Sequence, residues 1–335
     1  EIDILKKKGP VNVYEKIKGG YRVHYLIIGD SIAQSSGVGN HQYDWHKQLN
    51  ILLEQKYHSS LTTEKMTQGG NTVLDGLVDF SNNRSVHIYD LVVICFGQND
   101  QWFMNPEQFG SLYENLVLRV KKSYPKAEVA TIIESCLNNR GFIGEIRKIS
   151  RHYGTLLINT REAFEASGKS DNVLTVDSIH PNKEGYTLYA RQMFDIFNGA
   201  IDGHKAVAAV KHSQLYPEKG YGKITLTRKF EENKGFRRGH GYFETSHKGD
   251  YLQTRFKGNL LGLTIFSNKD RGLINVYVDG KYHKQINAYS SIEKKKHVFI
   301  ADGLGNGQHT VKVEVSGKPG FDYHHRPATG TKVKI

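Results

Sequence analysis

Five short apolar runs alternate with longer stretches of helical periodicity between residues 23 and 197, and that alternation limits the fold more than any other feature of the chain. The runs cover 23–29, 61–67, 91–96, 128–134 and 155–159. Buried strands of a parallel sheet read as continuous apolar runs, and each parallel pair needs a crossover long enough to hold a helix. Helical patterns at 43–56, 106–123, 143–153 and 183–197 supply such crossovers. Pro106 opens the second of them, where its missing N–H does no harm. The pattern predicts an α/β fold, a three-layer, flavodoxin-like doubly wound parallel sheet over residues 21–203, preceded by a charged lead-in at 1–20.

After Gly203 the texture changes. Residues 204–220 read as a linker, with 205–210 as a short apolar helix or strand and Tyr216-Pro217 near its end. From 221 to 320 the pattern is alternating, with strands expected at 223–230, 251–256, 261–266, 273–278, 297–301 and 309–315. Asp279-Gly280 between two of them is a hairpin signal. Short strands at close spacing with glycine-rich turns predict an all-β sandwich of jelly-roll type. The polar, unpatterned segment 321–335 reads as a tail, either disordered or strapped across the first domain.

Charge follows the same division. The 335-residue chain carries a net charge of +12, and residues 213–335 hold 22 Lys and Arg against 11 Asp and Glu. The rest is nearly neutral, so the basic field belongs to the second part and suits an anionic partner, with a solvated basic surface as the plainer alternative. Two cysteines, Cys95 and Cys136, are too few for a disulfide framework. Cys95, inside an apolar run, reads as a small core residue. No run approaches the ~20 apolar residues of a membrane helix. The chain begins at Glu1 with no signal peptide to read, as expected of a mature form or an excised piece.

In an open α/β sheet the ligand crevice lies beyond the carboxyl ends of the strands. Four polar segments fall there: Gly29-Asp30-Ser31, Gln68-Gly69-Gly70-Asn71-Thr72, Gly97-Gln98-Asn99-Asp100, and Asp177-Ser178-Ile179-His180-Pro181. Together they hold the parts acyl transfer needs. A serine hydroxyl becomes a nucleophile once a base takes its proton, and histidine is the usual base near neutrality. His180 is the base for Ser31 in this reading, and Asp177 fixes its tautomer. The tetrahedral oxyanion needs preorganised donors, for which Ser31 N–H, Gly70 N–H and the Asn99 side-chain amide are the expected set. Each residue also has a duller reading: Ser31 as a helix N-cap, Asn99 and Asp100 as loop formers, His180 as a surface residue. All would have to hold together for the catalytic reading to fail. The chain has no Gly-x-Ser-x-Gly elbow, Walker loop or His-Glu-x-x-His. His204, His212, His240, His247, His324 and His325 show no metal-binding spacing.

The order and spacing of these segments closely resemble the SGNH hydrolases, also called GDSL esterases and lipases. Ser31, Gly70, Asn99 and His180 match the four residues that name the family, and Asp177 matches the acid of its Asp-x-x-His block. His180-Pro-x-x-x-Gly-Tyr186 adds a further match. Gly69 could take the place of Gly70, but Gly70-Asn71-Thr72 mirrors the family's Gly-Asp-Thr. The second part, through 249–258, 276–280 and 307–315, resembles the jelly rolls that accompany carbohydrate esterases and carbohydrate-binding modules. There the jelly roll precedes the hydrolase; here it follows. The resemblance implies a serine esterase without metal or organic cofactor; the sandwich and its basic field point to O-acetyl groups of a polymer, an anionic bacterial surface or extracellular polysaccharide, and that substrate class to an extracytoplasmic location. Tyr242, Phe243, Tyr251, Tyr277, Tyr282 and Tyr289 include possible sugar platforms, though such aromatics are more often core. Arg237-Arg238 and Lys294-Lys295-Lys296 could hold acidic groups of a polymer, with an edge-protecting charge as the plainer reading of the lysines. The rivals are a lipid esterase or thioesterase of the same family and a non-catalytic glycan-binding module. Nucleic acid is not expected as a partner, since charge without a recognition motif does not specify it.

Overall fold

The computed structural model describes residues 12–83 and 86–335. Most of the expected lead-in therefore lies outside the described residues. The chain divides into two compact units, Glu1–Gly220 and Tyr221–Ile335.

The first unit is built on five parallel strands: β1 (Val23–Gly29), β2 (Leu61–Thr67), β3 (Leu91–Cys95), β4 (Glu128–Ile133) and β5 (Leu156–Asn159). Their spatial order, β2-β1-β3-β4-β5, is the flavodoxin-like doubly wound arrangement. All residues of β3 and β4 are buried, whereas β2 at the edge is half open and correspondingly polar. Helices α1 (Val13–Lys18), α2 (Trp45–Tyr57) and α8 (Lys183–Asp202) pack against one another. Tyr14, Trp45, Leu49, Tyr189, Met193 and Phe197 join strand residues Tyr25, Ile27, Val93 and Ile132 in one core. Helices α3 (Val73–Asn82), α4 (Pro106–Ser123) and α5 (Arg140–Tyr153) form a second packed set. Short helices α6 (Thr160–Ala166) and α7 (Asp171–Leu174) lead into the segment before α8. The start of α4 shows the local logic: Asn105 accepts from Gln108 N–H at 2.9 Å, Gln108 Oε1 accepts from Asn105 N–H at 3.1 Å, and Pro106 occupies the first turn.

The stretch 205–210 is neither helix nor strand. It is an irregular strap, held where Lys121 Nζ donates to Ala208 O at 3.0 Å. Further on, the buried carboxylate of Glu114 accepts from Leu215 and Tyr216 N–H at 2.6 and 3.0 Å.

The paired strands of the second unit are all antiparallel, with two isolated parallel bridges at Asn268–Tyr289 and Arg271–Lys332. A five-stranded sheet holds Lys281–Asn287, Gly272–Val278, Gln308–Pro319, Tyr251–Lys257 and Glu232–Lys234 in that spatial order, and Leu260–Ser267 pairs with Lys294–Asp302. Leu252, Ile265, Ile274, Val276, Ile300, Val313 and Val315 are buried. The Asp279-Gly280 turn is a two-residue hairpin loop with φ of +50° and +76°, the doubly left-handed geometry that aspartate and glycine tolerate. The strand expected at 223–230 does not form: the segment is irregular and mostly exposed, since alternation makes a strand only where a neighbour takes up its hydrogen bonds. Nor is the C-terminal segment a loose tail. Val333–Lys334 pairs with Phe243–Thr245, and Ile335 and Phe243 exchange backbone hydrogen bonds at 2.8 and 2.9 Å.

Candidate active site

The sheet order reverses between β1 and β3, and the loops leaving β1, β2 and β3 converge beyond that point. The first of them folds at once into a helical turn. Asp30 Oδ1 accepts from Ile32 N–H at 2.8 Å, and Gln34 N–H donates to Asp30 O at 3.0 Å. Asp30, rather than Ser31, thus fills the capping role. That leaves the Ser31 hydroxyl for other work, on a residue only 8% exposed.

After β2 the chain turns through Gln68–Asn71, closed by Asn71 N–H to Gln68 O at 3.1 Å. Gly70 is the third residue of this turn with φ of +78°, the position that demands glycine. The neighbouring Gly69 runs past Ser31: a Cβ there would lie 3.9 Å from Ser31 Cβ. After β3, Asn99 precedes the short helical turn Asp100–Trp102. Its Nδ2 donates to Asp30 Oδ2 at 2.7 Å and to Asn71 O at 3.1 Å. Both amide hydrogens are therefore engaged, and Asn99 serves an oxyanion only by sharing or exchanging one of them.

The fourth segment comes from far along the chain. Asp177 Oδ1 accepts from Ile179 and His180 N–H at 3.1 and 2.7 Å, folding residues 177–180 into a tight loop. Asp177 Oδ2 stands 2.7 Å from His180 Nδ1, and His180 Nε2 stands 3.0 Å from Ser31 Oγ. Partial burial pulls the Asp177 carboxyl upward, but the two backbone N–H groups and the imidazole outweigh it and hold it below the usual carboxylate value. It is therefore ionised at neutrality, with Nδ1–H as its natural partner. The loop runs into α8 through Asn182, whose Oδ1 accepts from Glu184 and Gly185 N–H at 2.9 and 3.1 Å. One turn on, Tyr186 OH donates to Ser36 O at 2.9 Å, tying the histidine's helix to the serine's turn. Gly37 completes the join. Its φ is +114°, and a Cβ there would fall 2.5 Å from Pro181 O and 3.1 Å from His180 Cβ.

Asp177, His180 and Ser31 thus form one hydrogen-bonded line, Asn99 is tied to Asp30 beside Ser31, and Gly70 lies in the turn whose last residue, Asn71, Asn99 also holds. Two further groups went unassigned there. In the sequence Asp30 stands only as the middle of Gly-Asp-Ser, and Glu134 only as the last residue of an apolar run. A carboxylate ending a fully buried strand was the available signal, since such a group needs a partner.

Comparison with known families agrees with this architecture. The model of the GDSL-like lipase/acylhydrolase family matches residues 27–188, which contain all five residues. The first unit is a GDSL-like lipase/acylhydrolase domain. Behind that hydrolase domain, residues 239–317 match the carbohydrate esterase 2 N-terminal model, so a module named for the front of its family stands here at the back. A search of curated proteins gives no match. Among solved structures, a two-domain esterase (CEX) active on acetylated mannans, co-crystallised with mannopentaose, aligns with TM-score 0.73 at 18% identity. The alignment covers 100% of this chain and 95% of that one. A second structure of a two-domain esterase of that name aligns with TM-score 0.67 at 20% identity, over 98% and 94%. The acetylxylan esterase Axe2 of Geobacillus stearothermophilus matches over 54% of this chain and 96% of its own, at 21% identity and TM-score 0.46. At 18% and 20% identity, the two CEX structures establish a common fold. Among the described residues, no helix is long and apolar enough to cross a membrane.

Proposed function

We propose that the protein is a serine esterase that removes acyl groups, acetyl foremost, from a carbohydrate polymer. The observation that carries this reading is the unbroken line Asp177–His180–Ser31, with contacts of 2.7 and 3.0 Å. Ser31 Oγ attacks the ester carbonyl while His180 Nε2 takes its proton. Asp177 holds the proton on Nδ1, so Nε2 is the lone-pair nitrogen, and stabilises the imidazolium that forms. Ser31 N–H, Gly70 N–H and Asn99 Nδ2 receive the oxyanion. The sugar hydroxyl leaves with the proton from His180. Water, activated by the same nitrogen, then releases the acid from Ser31. No step calls for a metal or organic cofactor.

The carbohydrate assignment draws on the carbohydrate esterase module and on the activity of the structurally similar two-domain esterase on acetylated mannans. The basic second unit favours an anionic polymer, and a substrate of that kind is in keeping with work outside the cytoplasm at a bacterial surface. The test is acetate release from p-nitrophenyl acetate and from acetylated mannan, xylan and acidic glycans, comparing the intact protein with Ser31→Ala. Turnover that vanishes in the folded variant supports the proposal. An intact protein that hydrolyses no ester yet binds glycans tightly is a binding module instead.

A further inference from the structure

Behind Ser31 lies a pair of carboxyl groups that the mechanism above does not use. Asp30 and Glu134 are both fully buried, and carboxyl oxygens of the two lie within 4.8 Å of one another. Two carboxylates in that relation need a proton between them, because two like charges so close together away from water cannot both be kept. The surrounding donors decide who holds it. Asp30 receives N–H groups on both oxygens, from Ile32 at Oδ1 (2.8 Å) and from Asn99 Nδ2 at Oδ2 (2.7 Å). Glu134 receives one strong N–H, from Gln98 to Oε2 at 2.7 Å, and its Oε1 has the Cys95 thiol at 3.6 Å. The better-supplied group is the anion, so Glu134 is the acid and Asp30 the carboxylate. Burial pushes the Glu134 carboxyl well up, and pushes Asp30 only to about 6. The other titratable groups facing the pair, Cys95, Asp100, Tyr113, Cys136, His180 and Tyr186, include no lysine or arginine that would compensate a second negative charge.

We propose that Glu134, as a neutral carboxylic acid, is a positioning residue for acyl transfer. It donates to Asp30, and the Asp30 carboxylate so fixed aims the Asn99 amide and holds the turn that presents Ser31. The Glu134 backbone sits at the end of β4 and its side chain reaches toward the end of β1, so the device braces two non-adjacent strands of the sheet behind the reacting groups. The same three buried residues, Asp30, Cys95 and Glu134, have ligand atoms within 4.8 Å of one another, which makes a divalent cation the rival occupant of this place.

The inference rests on the esterase reading, and the intact protein's turnover of p-nitrophenyl acetate separates the two: if it is absent, the esterase reading itself fails. Given turnover, Glu134→Gln keeps a neutral donor toward Asp30 and an acceptor for Gln98. We expect its kcat to stay within about 3-fold of the parent and its pH profile to keep its position. Glu134→Leu removes the donor; kcat falls about 10- to 100-fold with KM nearly unchanged, short of the 10²–10³ lost when an oxyanion donor is deleted outright. Its acid limb moves to higher pH, because Asp30 without its donor is protonated more readily.

Three results would overturn the proposal. One is a Glu134→Gln profile whose acid limb moves to lower pH, the signature of a lost neighbouring negative charge. Another is a Glu134→Leu variant with parental kcat. The third is activity abolished by a chelator and restored by a divalent ion. Should Glu134→Leu not fold, infrared difference spectra of the parent and Glu134→Gln decide. A protonated-carboxyl band present above neutral pH and missing in the variant supports the assignment, and its absence from the parent refutes it.

Discussion

Replacing Asp177 by asparagine tests the reading of the triad at its least obvious point. Asparagine can keep Oδ1 as the acceptor for Ile179 and His180 N–H, so the 177–180 loop retains its shape. The change falls on the 2.7 Å contact with His180 Nδ1. An amide NH₂ there donates, which obliges Nδ1 to accept and moves the ring hydrogen to Nε2. Nε2–H then points at Ser31 Oγ and can no longer take its proton. In a fully buried triad the equivalent change lowers kcat by ~10⁴. Here the Asp177 side chain is 49% exposed, so water competes for Nδ1 and recovers part of the productive tautomer. We therefore expect a loss of about 10³ in kcat, roughly 4 kcal/mol on the barrier, with KM changed little. Unfolding free energy should move by less than about 1 kcal/mol, since an exposed ionic contact contributes little. Asp177→Ala differs because it also removes the loop's two backbone contacts, and stability and activity fall together. Steady-state hydrolysis of p-nitrophenyl acetate with urea unfolding of the same preparations reads both quantities. An asparagine variant within 10-fold of the parent would refute the tautomer argument, and with it the placement of Asp177 in the mechanism.

Gly37→Ala should lower kcat by about 10- to 100-fold, because the new methyl displaces the His180 backbone and small misplacements of reacting groups are costly; unchanged kinetics would show that the 37–181 contact yields freely. Lys205→Met should destabilise the protein by about 1–3 kcal/mol, since it strips the 2.7 Å cationic partner from the buried Glu128 carboxylate. Pairing it with Glu128→Gln should recover most of the loss in urea unfolding, and no recovery would mean that Lys205 acts through packing alone. Asp30 gives a pH signature. Burial raises its carboxyl from 3.8 to about 6, so folding takes up a proton between those values. Its stabilising contribution is whole below about 4 and lost above about 6. Relative to Asp30→Asn, the unfolding free energy of the parent should therefore fall by about 2–3 kcal/mol across that window; a difference that rises with pH would reverse the assignment.

How far the chain could be read in advance depended on whether the signal was local. Strands β1 and β2 and helix α4 have the bounds expected from apolar runs and from Asn105-Pro106, because alternation, burial and capping leave marks within a few residues. Helix α3 was passed over. Gly76 interrupts its pattern, and the structure gives the reason: a Cβ there would meet the Phe96 ring at 2.6 Å. Its Thr72/Asp75 capping box was the clue available. Lys281–Asn287 was missed as a strand because its composition is polar, although the Asp279-Gly280 turn before it implied a returning partner. Of the site, the five residues of the Ser-Gly-Asn-His pattern and its acid were legible as motifs. The Asp30–Glu134 pair was not, since it joins positions with no sequence relation and exists only once β1, β3 and β4 lie side by side. The engagement of both Asn99 hydrogens was likewise invisible until the loops met.

The bond from Tyr186 to Ser36 spans 150 positions, and its length along the chain has a bearing on biosynthesis. A ribosome delivers the nucleophile's turn, the glycine turn and Asn99 well before it delivers the acid and the base. Until α8 emerges and docks, the growing chain carries an unactivated serine. On the proposed mechanism, hydrolytic capacity arrives only with the last helix of the first unit, and a message cut short anywhere ahead of residue 177 yields a product that lacks both the acid and the base.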